Sequence, residues 1–148
     1  MKISKKCQYA LKAILELARR NTGDAVKTHH IAGSQRISHR FTEIILNELK
    51  HGGFVESRRG NEGGYLLARD PKALTVREII EYIQGAISVA PEAIKDNGDN
   101  ALFGNEAFKE LWQEVNVAVS EVCGSKTFAD LIDFEKAKRE RCIPNYNI

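Results

Sequence analysis

Residues 56–69 read ESRRGNEGGYLLAR: two adjacent arginines, three glycines within five positions, then an apolar run from Tyr65. Phe54-Val55-Glu56-Ser57 and Tyr65-Leu66-Leu67-Ala68 have strand character. The glycine-rich segment between them predicts a hairpin whose loop is longer than the tightest two-residue turn. Gly60, Gly63 and Gly64 let the backbone approach another surface without a side-chain clash. Arg58 and Arg59 add positive charge at the same place. An ordinary solvated hairpin has a similar composition, so its neighbours decide its meaning.

The chain before the hairpin predicts three helices. Ser4 caps a helix over residues 5–20, where Tyr9, Ala13, Ile14, Leu17 and Ala18 recur at helical spacing. Asn21-Thr22-Gly23-Asp24 ends it. Thr28 caps a short second helix through Ile31 and Ala32, and a tight turn follows at Arg36-Ile37. Ser38 is the N-cap of a third helix. There Phe41, Ile45 and Leu49 face one way, with Ile44 beside them, and Gly52-Gly53 stops the helix.

Beyond the hairpin, Pro71 ends the sheet and Thr75-Val76-Arg77-Glu78 forms a capping box for a fourth helix with Ile79, Ile80 and Ile83 on its apolar stripe. Residues 86–104 read as a loop. A long helix runs from Asn105 to about Cys123, with Phe108, Leu111, Trp112, Val115, Ala118, Val119 and Val122 at three- and four-residue steps, and Gly124 stops it. Thr127 caps a last helix to about Glu140. The fold class is mainly α with a small β-hairpin. It divides into a domain over 1–84 and a segment over 85–148 comprising loop, long helix and tail.

Composition narrows the function. No apolar run approaches the roughly 18–20 residues that span a bilayer, and charged residues interrupt any secretory core near the N-terminus. A mature cytoplasmic protein is expected. Cys7, Cys123 and Cys142 form no CxxC pair, and the four histidines form no metal-binding spacing, so no metal site is expected. No Ser-His-Asp, paired-carboxylate or phosphate-loop pattern appears, and an enzyme is not expected. Residues 1–60 hold twelve Lys and Arg against five Asp and Glu, a net of +7, while 61–148 hold ten against fifteen, a net of −5. A basic front half suits a polyanionic partner.

Two short helices joined by a tight turn have helix-turn-helix spacing, with the third helix in the recognition role. A hairpin that follows directly is a wing. Its glycines admit the backbone to the phosphates, and Arg58 and Arg59 suit a narrow minor groove. Thr28, at the start of the second helix, and Tyr65, at the start of the second strand, are further candidate contacts.

The stretches KISKKCQYALKAILELA, ISHRFTEIILNELKHGGFVESRRGNEGGYLLARDP and LTVREIIEYIQG resemble the winged-helix regulator family that includes IscR-type and CymR-type bacterial repressors. The likeness is strong over about residues 1–85 and looser through the long helix and KTFADLI. It implies a homodimeric repressor on a pseudo-palindromic double-stranded DNA operator. By that resemblance Ser38, Arg40 and Glu43 read base edges, His39 contacts phosphate or base, and Phe41 is half core and half DNA-facing. Arg40 stands where small residues are frequent in the iron–sulfur members, and an arginine there suits bidentate reading of guanine. Phe108, Leu111, Trp112, Val115, Val119 and Val122 are the dimerisation candidates, with packing inside the same chain as the alternative.

Many members of that family place three cysteines between the fourth helix and the long helix. Here the segment is AISVAPEAIKDNGDNALFGN, without cysteine. No iron–sulfur cluster of the usual type and no other cofactor is expected. The tail Pro-Asn-Tyr-Asn-Ile resembles the serine acetyltransferase ending that occupies cysteine synthase, and CymR-type regulators couple to that enzyme. The resemblance makes Asn145, Tyr146, Asn147 and Ile148 a candidate cysteine synthase-binding segment and links the chain to cysteine metabolism. The alternatives are an interaction protein whose DNA binding is secondary, and a redox-sensing repressor using Cys7, Cys123 or Cys142.

Overall fold

The computed structural model describes residues 2–89 and 105–141. Helix α1 (Lys5–Arg19) begins where the Ser4 hydroxyl accepts the Cys7 N–H at 3.1 Å. Its small Ala10 and Ala13 let neighbouring backbones close in, while Ile14 and Leu17 fill the centre. Helix α2 (Thr28–Gln35) is short, and α3 (His39–His51) follows at once. Strands β1 (Val55–Arg58) and β2 (Gly64–Leu67) pair antiparallel, with Val55 opposite Leu67 and Arg58 opposite Gly64. After a 3-10 turn at Pro71–Ala73 come α4 (Val76–Gln84), the long α5 (Asn105–Ser125) and α6 (Phe128–Arg141).

Several boundaries differ from the sequence reading by a residue or two, the second strand spanning Gly64–Leu67 rather than Tyr65–Ala68 among them, and three of the differences have a clear physical reason. Thr28 is the first residue of α2 rather than its cap. Lys27 takes the cap position, extended like Val26 before it, which is paired with Tyr65 by two backbone bonds; the Lys27 ammonium has no acceptor, so it makes no side-chain cap bond. The first strand starts one residue later than expected. The Phe54 N–H is spent on the Leu49 carbonyl at 3.0 Å, closing the end of α3. Gly53, at φ 73°, makes that closure and favours the absence of a side chain there. Gly124 does not stop α5, which continues to Ser125. A Cβ on Gly124 would lie 3.0 Å from the Arg77 guanidinium carbon, so the glycine serves close packing on α4.

One core joins these elements. Ile14, Ile31, Ile45, Leu46, Leu49, Leu74, Ile79 and Phe128 are all fully buried within it. Each such side chain contributes about 1.5–3 kcal/mol relative to exposure. Phe128 belongs to α6 yet lies in the same core as α1 and α3. The junction between α5 and α6 is fastened there by backbone bonds: Val76 N–H to the Lys126 carbonyl at 2.9 Å and Phe128 N–H to the Leu74 carbonyl at 3.0 Å. Thr75 and Thr127 thus face each other as an isolated antiparallel bridge. A smaller apolar cluster of Cys7, Ile80 and Ile87, with Val119 and Cys123 against it, ties α5 to α1 and α4.

Candidate nucleic-acid interface

The helix-turn-helix is built by local backbone rules. Arg36 closes α2 in the left-handed region at φ 52°, and the Ile37 N–H bonds back to the Ala32 carbonyl at 2.9 Å. Buried Ile37 pins the turn to the domain. Ser38 then caps α3 by accepting the Phe41 N–H at 3.3 Å, and buried Thr42 donates to the Ser38 carbonyl at 2.9 Å. These contacts fix the direction in which α3 leaves the turn.

The outer face of α3 carries His39, Arg40, Glu43, Ile44 and Asn47, all exposed. Nδ1 of His39 lies 3.7 Å from the Glu43 carboxylate. Arg40 has no hydrogen-bond or ion-pair partner among the described residues. Phe41 is half-buried and meets the Tyr9 ring edge-on, with centroids 5.6 Å apart. Ile44 corrects the sequence reading, which set it beside the inward residues: it is 50% exposed. Sequence reasoning missed Ile44 and Asn47 as surface groups, although the four-residue step from Arg40 to Ile44 and the three-residue step from Ile44 to Asn47 were the available signal.

The wing loop runs from Arg59 to Gly63, closed by a Gly63 N–H bond to the Gly60 carbonyl at 2.9 Å. The two arginines play different parts. Arg58 donates from Nη1 to the Gly23 carbonyl at 2.9 Å, whereas exposed Arg59 has no partner among the described residues. Tyr65 is half-buried against the core, and its backbone is bonded to Val26. Gly64 is there because a Cβ would come within 2.6 Å of the Val26 carbonyl carbon. The structure therefore brings His39, Arg40 and Glu43 onto one helix with Ser38 as its cap, and Arg58 through Tyr65 onto one hairpin. Thr28 is half-buried at the start of α2.

On α5, Phe108, Leu111 and Val122 are exposed at 59%, 44% and 61%. Trp112, Val115 and Val119 are half-buried, and Val119 is held by the Cys7 cluster of its own chain. The candidate tail, Asn145 to Ile148, lies outside the described residues, as does Cys142.

A buried ionic group supports the helix-turn-helix from beneath. Glu16 of α1 receives hydrogen bonds from Arg20 at 2.6 Å, from Arg19 at 3.1 Å and from Gln35 of α2 at 3.1 Å. Burial pushes its carboxyl up, but the bonds from Arg20, Gln35 and Arg19 and the Arg20 charge together hold it below the ordinary carboxylate range. Arg19 reaches on to Glu135 of α6, its Nε at 3.0 Å. The Cys7 thiol is pushed up by burial, which disfavours the reactive thiolate.

A two-helix reading unit followed by a wing defines a winged helix-turn-helix transcription regulator. The family model for Rrf2, iron-dependent transcriptional regulators, matches residues 3–134. This chain belongs to that family. The transcriptional regulator CymR of Bacillus subtilis is 34% identical over 140 residues, spanning 95% of this chain and 96% of its own length. IscR of Yersinia enterocolitica is 28% identical over 135 residues, spanning 90% and 80%. The solved structure of B. subtilis CymR, described as that organism's global cysteine regulator, superposes with a TM-score of 0.78 at 33% identity, covering 90% of this chain and 98% of that one. IscR of T. potens gives 0.75 at 29% identity, covering 99% and 95%. The chain is a DNA-binding transcriptional regulator rather than an enzyme.

Iron–sulfur ligation does not fit the thiols of the described residues. Cluster ligation calls for several converging thiolates or imidazoles, whereas Cys7 is buried among aliphatic side chains. Residues 86–104 hold no cysteine, and no group of three metal-ligating side chains occurs among the described residues. No helix among those residues is long and apolar enough to cross a membrane.

Proposed function

We propose that the chain acts as a homodimeric repressor without an iron–sulfur cluster, reading a pseudo-palindromic operator with α3 in the major groove and the wing on the minor groove. The observation that carries this is the pair of exposed arginines, Arg40 on α3 and Arg59 on the wing, neither with a carboxylate partner among the described residues. Guanine edges and phosphates are the partners such groups take. Ser38, His39 and Glu43 complete the reading edge, and Arg58 holds the wing in place. Dimerisation through α5 supplies the second reading head, with Phe108, Leu111 and Val122 as its exposed apolar groups. Selection from a random duplex library followed by salt titration tests the reading. Specific binding that weakens steeply with salt is expected; sequence-independent binding rejects it.

The tail from Asn145 to Ile148 is proposed to bind cysteine synthase and so report cysteine supply. Support comes from the likeness of this segment to the enzyme's known peptide partner and from similarity to a relative described as a global cysteine regulator. Calorimetry with purified cysteine synthase checks it. Heat from the full chain that disappears when Ile148 is deleted is expected, and equal heat from both ends the proposal.

A further inference from the structure

Helix α3 turns one hydrocarbon side chain outward. Ile44 is 50% exposed, while Ile45, Leu46 and Leu49 of the same helix are completely buried. Its neighbours at helical spacing are Arg40 and Asn47, both exposed. A lone branched apolar group therefore stands inside a polar face. Its exposed half adds nothing to the core. As a β-branched residue on a helix it holds essentially one rotamer, so it offers a fixed shape at little entropic cost. Among the groups that base pairs display in the major groove, the apolar one is the C5-methyl of thymine.

We infer that Ile44 is a specificity-determining residue that packs on the C5-methyl group of a thymine in the operator. The inference rests on the proposed role of α3 in the major groove. Arg40 and Ile44 are four residues apart, about 6 Å along the helix axis. Base pairs rise by about 3.4 Å. The thymine therefore falls within about two base pairs of the position read by Arg40.

The experiment uses the full chain and the operator it selects from a random duplex library. Each thymine is replaced singly by deoxyuridine, which removes the methyl group and keeps the base pair. Wild type is expected to lose about three- to fivefold in affinity at one thymine per half-site, about the value of one buried methyl. Ile44→Ala should bind the unmodified operator more weakly by the same factor and ignore the replacement at that thymine. Its exposed position makes a folding defect simple to exclude by circular dichroism. An Ile44→Ala protein with the wild-type response at every thymine overturns the inference, as does a wild type indifferent to every replacement. Failure to select any sequence removes the major-groove role of α3 itself, and this inference with it.

Discussion

Arg58 and Gly23 lie 35 positions apart, yet the Arg58 guanidinium donates to the Gly23 carbonyl at 2.9 Å. The base of the wing is thereby tied to the loop that follows α1, and the two wing arginines become separable by experiment. Arg59→Ala should weaken operator binding by about 1–3 kcal/mol and leave the melting temperature in place. Arg58→Ala should also loosen the wing, lowering the melting temperature slightly. Parallel gel-shift and thermal measurements check the split; identical profiles for the two variants would refute it.

Glu16 links stability to pH. Its carboxyl titrates below its ordinary value of about 4.5 in the folded chain. A depressed value means the contribution is present above the unfolded value and lost as pH falls through the folded one. Glu16→Gln should cost about 1.5–3 kcal/mol at neutral pH, because charge-assisted bonds to Arg19, Arg20 and Gln35 weaken together. Denaturant titrations of both proteins from pH 7 to pH 3 should show that gap closing below about pH 4.5. A gap that stays constant would locate the pH dependence elsewhere.

Phe108 and Leu111 are the exposed apolar groups near the start of α5. Phe108→Glu with Leu111→Glu should produce a monomer in sedimentation with unchanged helix content, since neither residue supports its own core. Val119→Glu should instead reduce stability, because it places a charge in the Cys7 cluster. A double variant that sediments like wild type would remove this end of α5 from the interface.

Gly64→Ala tests the close approach between wing and Val26. The added methyl would meet the Val26 carbonyl at 2.3 Å from its oxygen, so β2 must shift or the paired bonds to Tyr65 must break. A loss of about 2 kcal/mol or more in denaturant unfolding is expected, together with weakened DNA binding. Wild-type stability would show that the strand absorbs the methyl without cost.

Local signals made much of the architecture legible. Ser38, Gly52-Gly53 and the Thr75–Glu78 box mark helix ends through bonds within a few residues, and the hairpin follows from strand character around a glycine loop. Contacts between distant segments carry no such mark. Nothing in the sequence near Arg58 points to Gly23, and nothing near Phe128 announces its place in the core beside α1. Ile44 misled for another reason: residue type argued inward, while helical phase placed it with Arg40 and Asn47. In the candidate interface, the cap at Ser38 and the placing of His39, Arg40 and Glu43 at the start of α3 were legible in the sequence, but the tie of Arg58 to Gly23, which Arg59 lacks, required three dimensions.

The backbone bridge between Thr75 and Thr127 gives the long helix no independent swing at that end. If two chains join through α5, their heads ride on a stiff yoke, and a stiff yoke measures distance. One extra base pair between half-sites would move a head by about 3.4 Å and turn it by about a tenth of a revolution. Such a calliper makes the gap between half-sites part of the address, alongside the letters written in them.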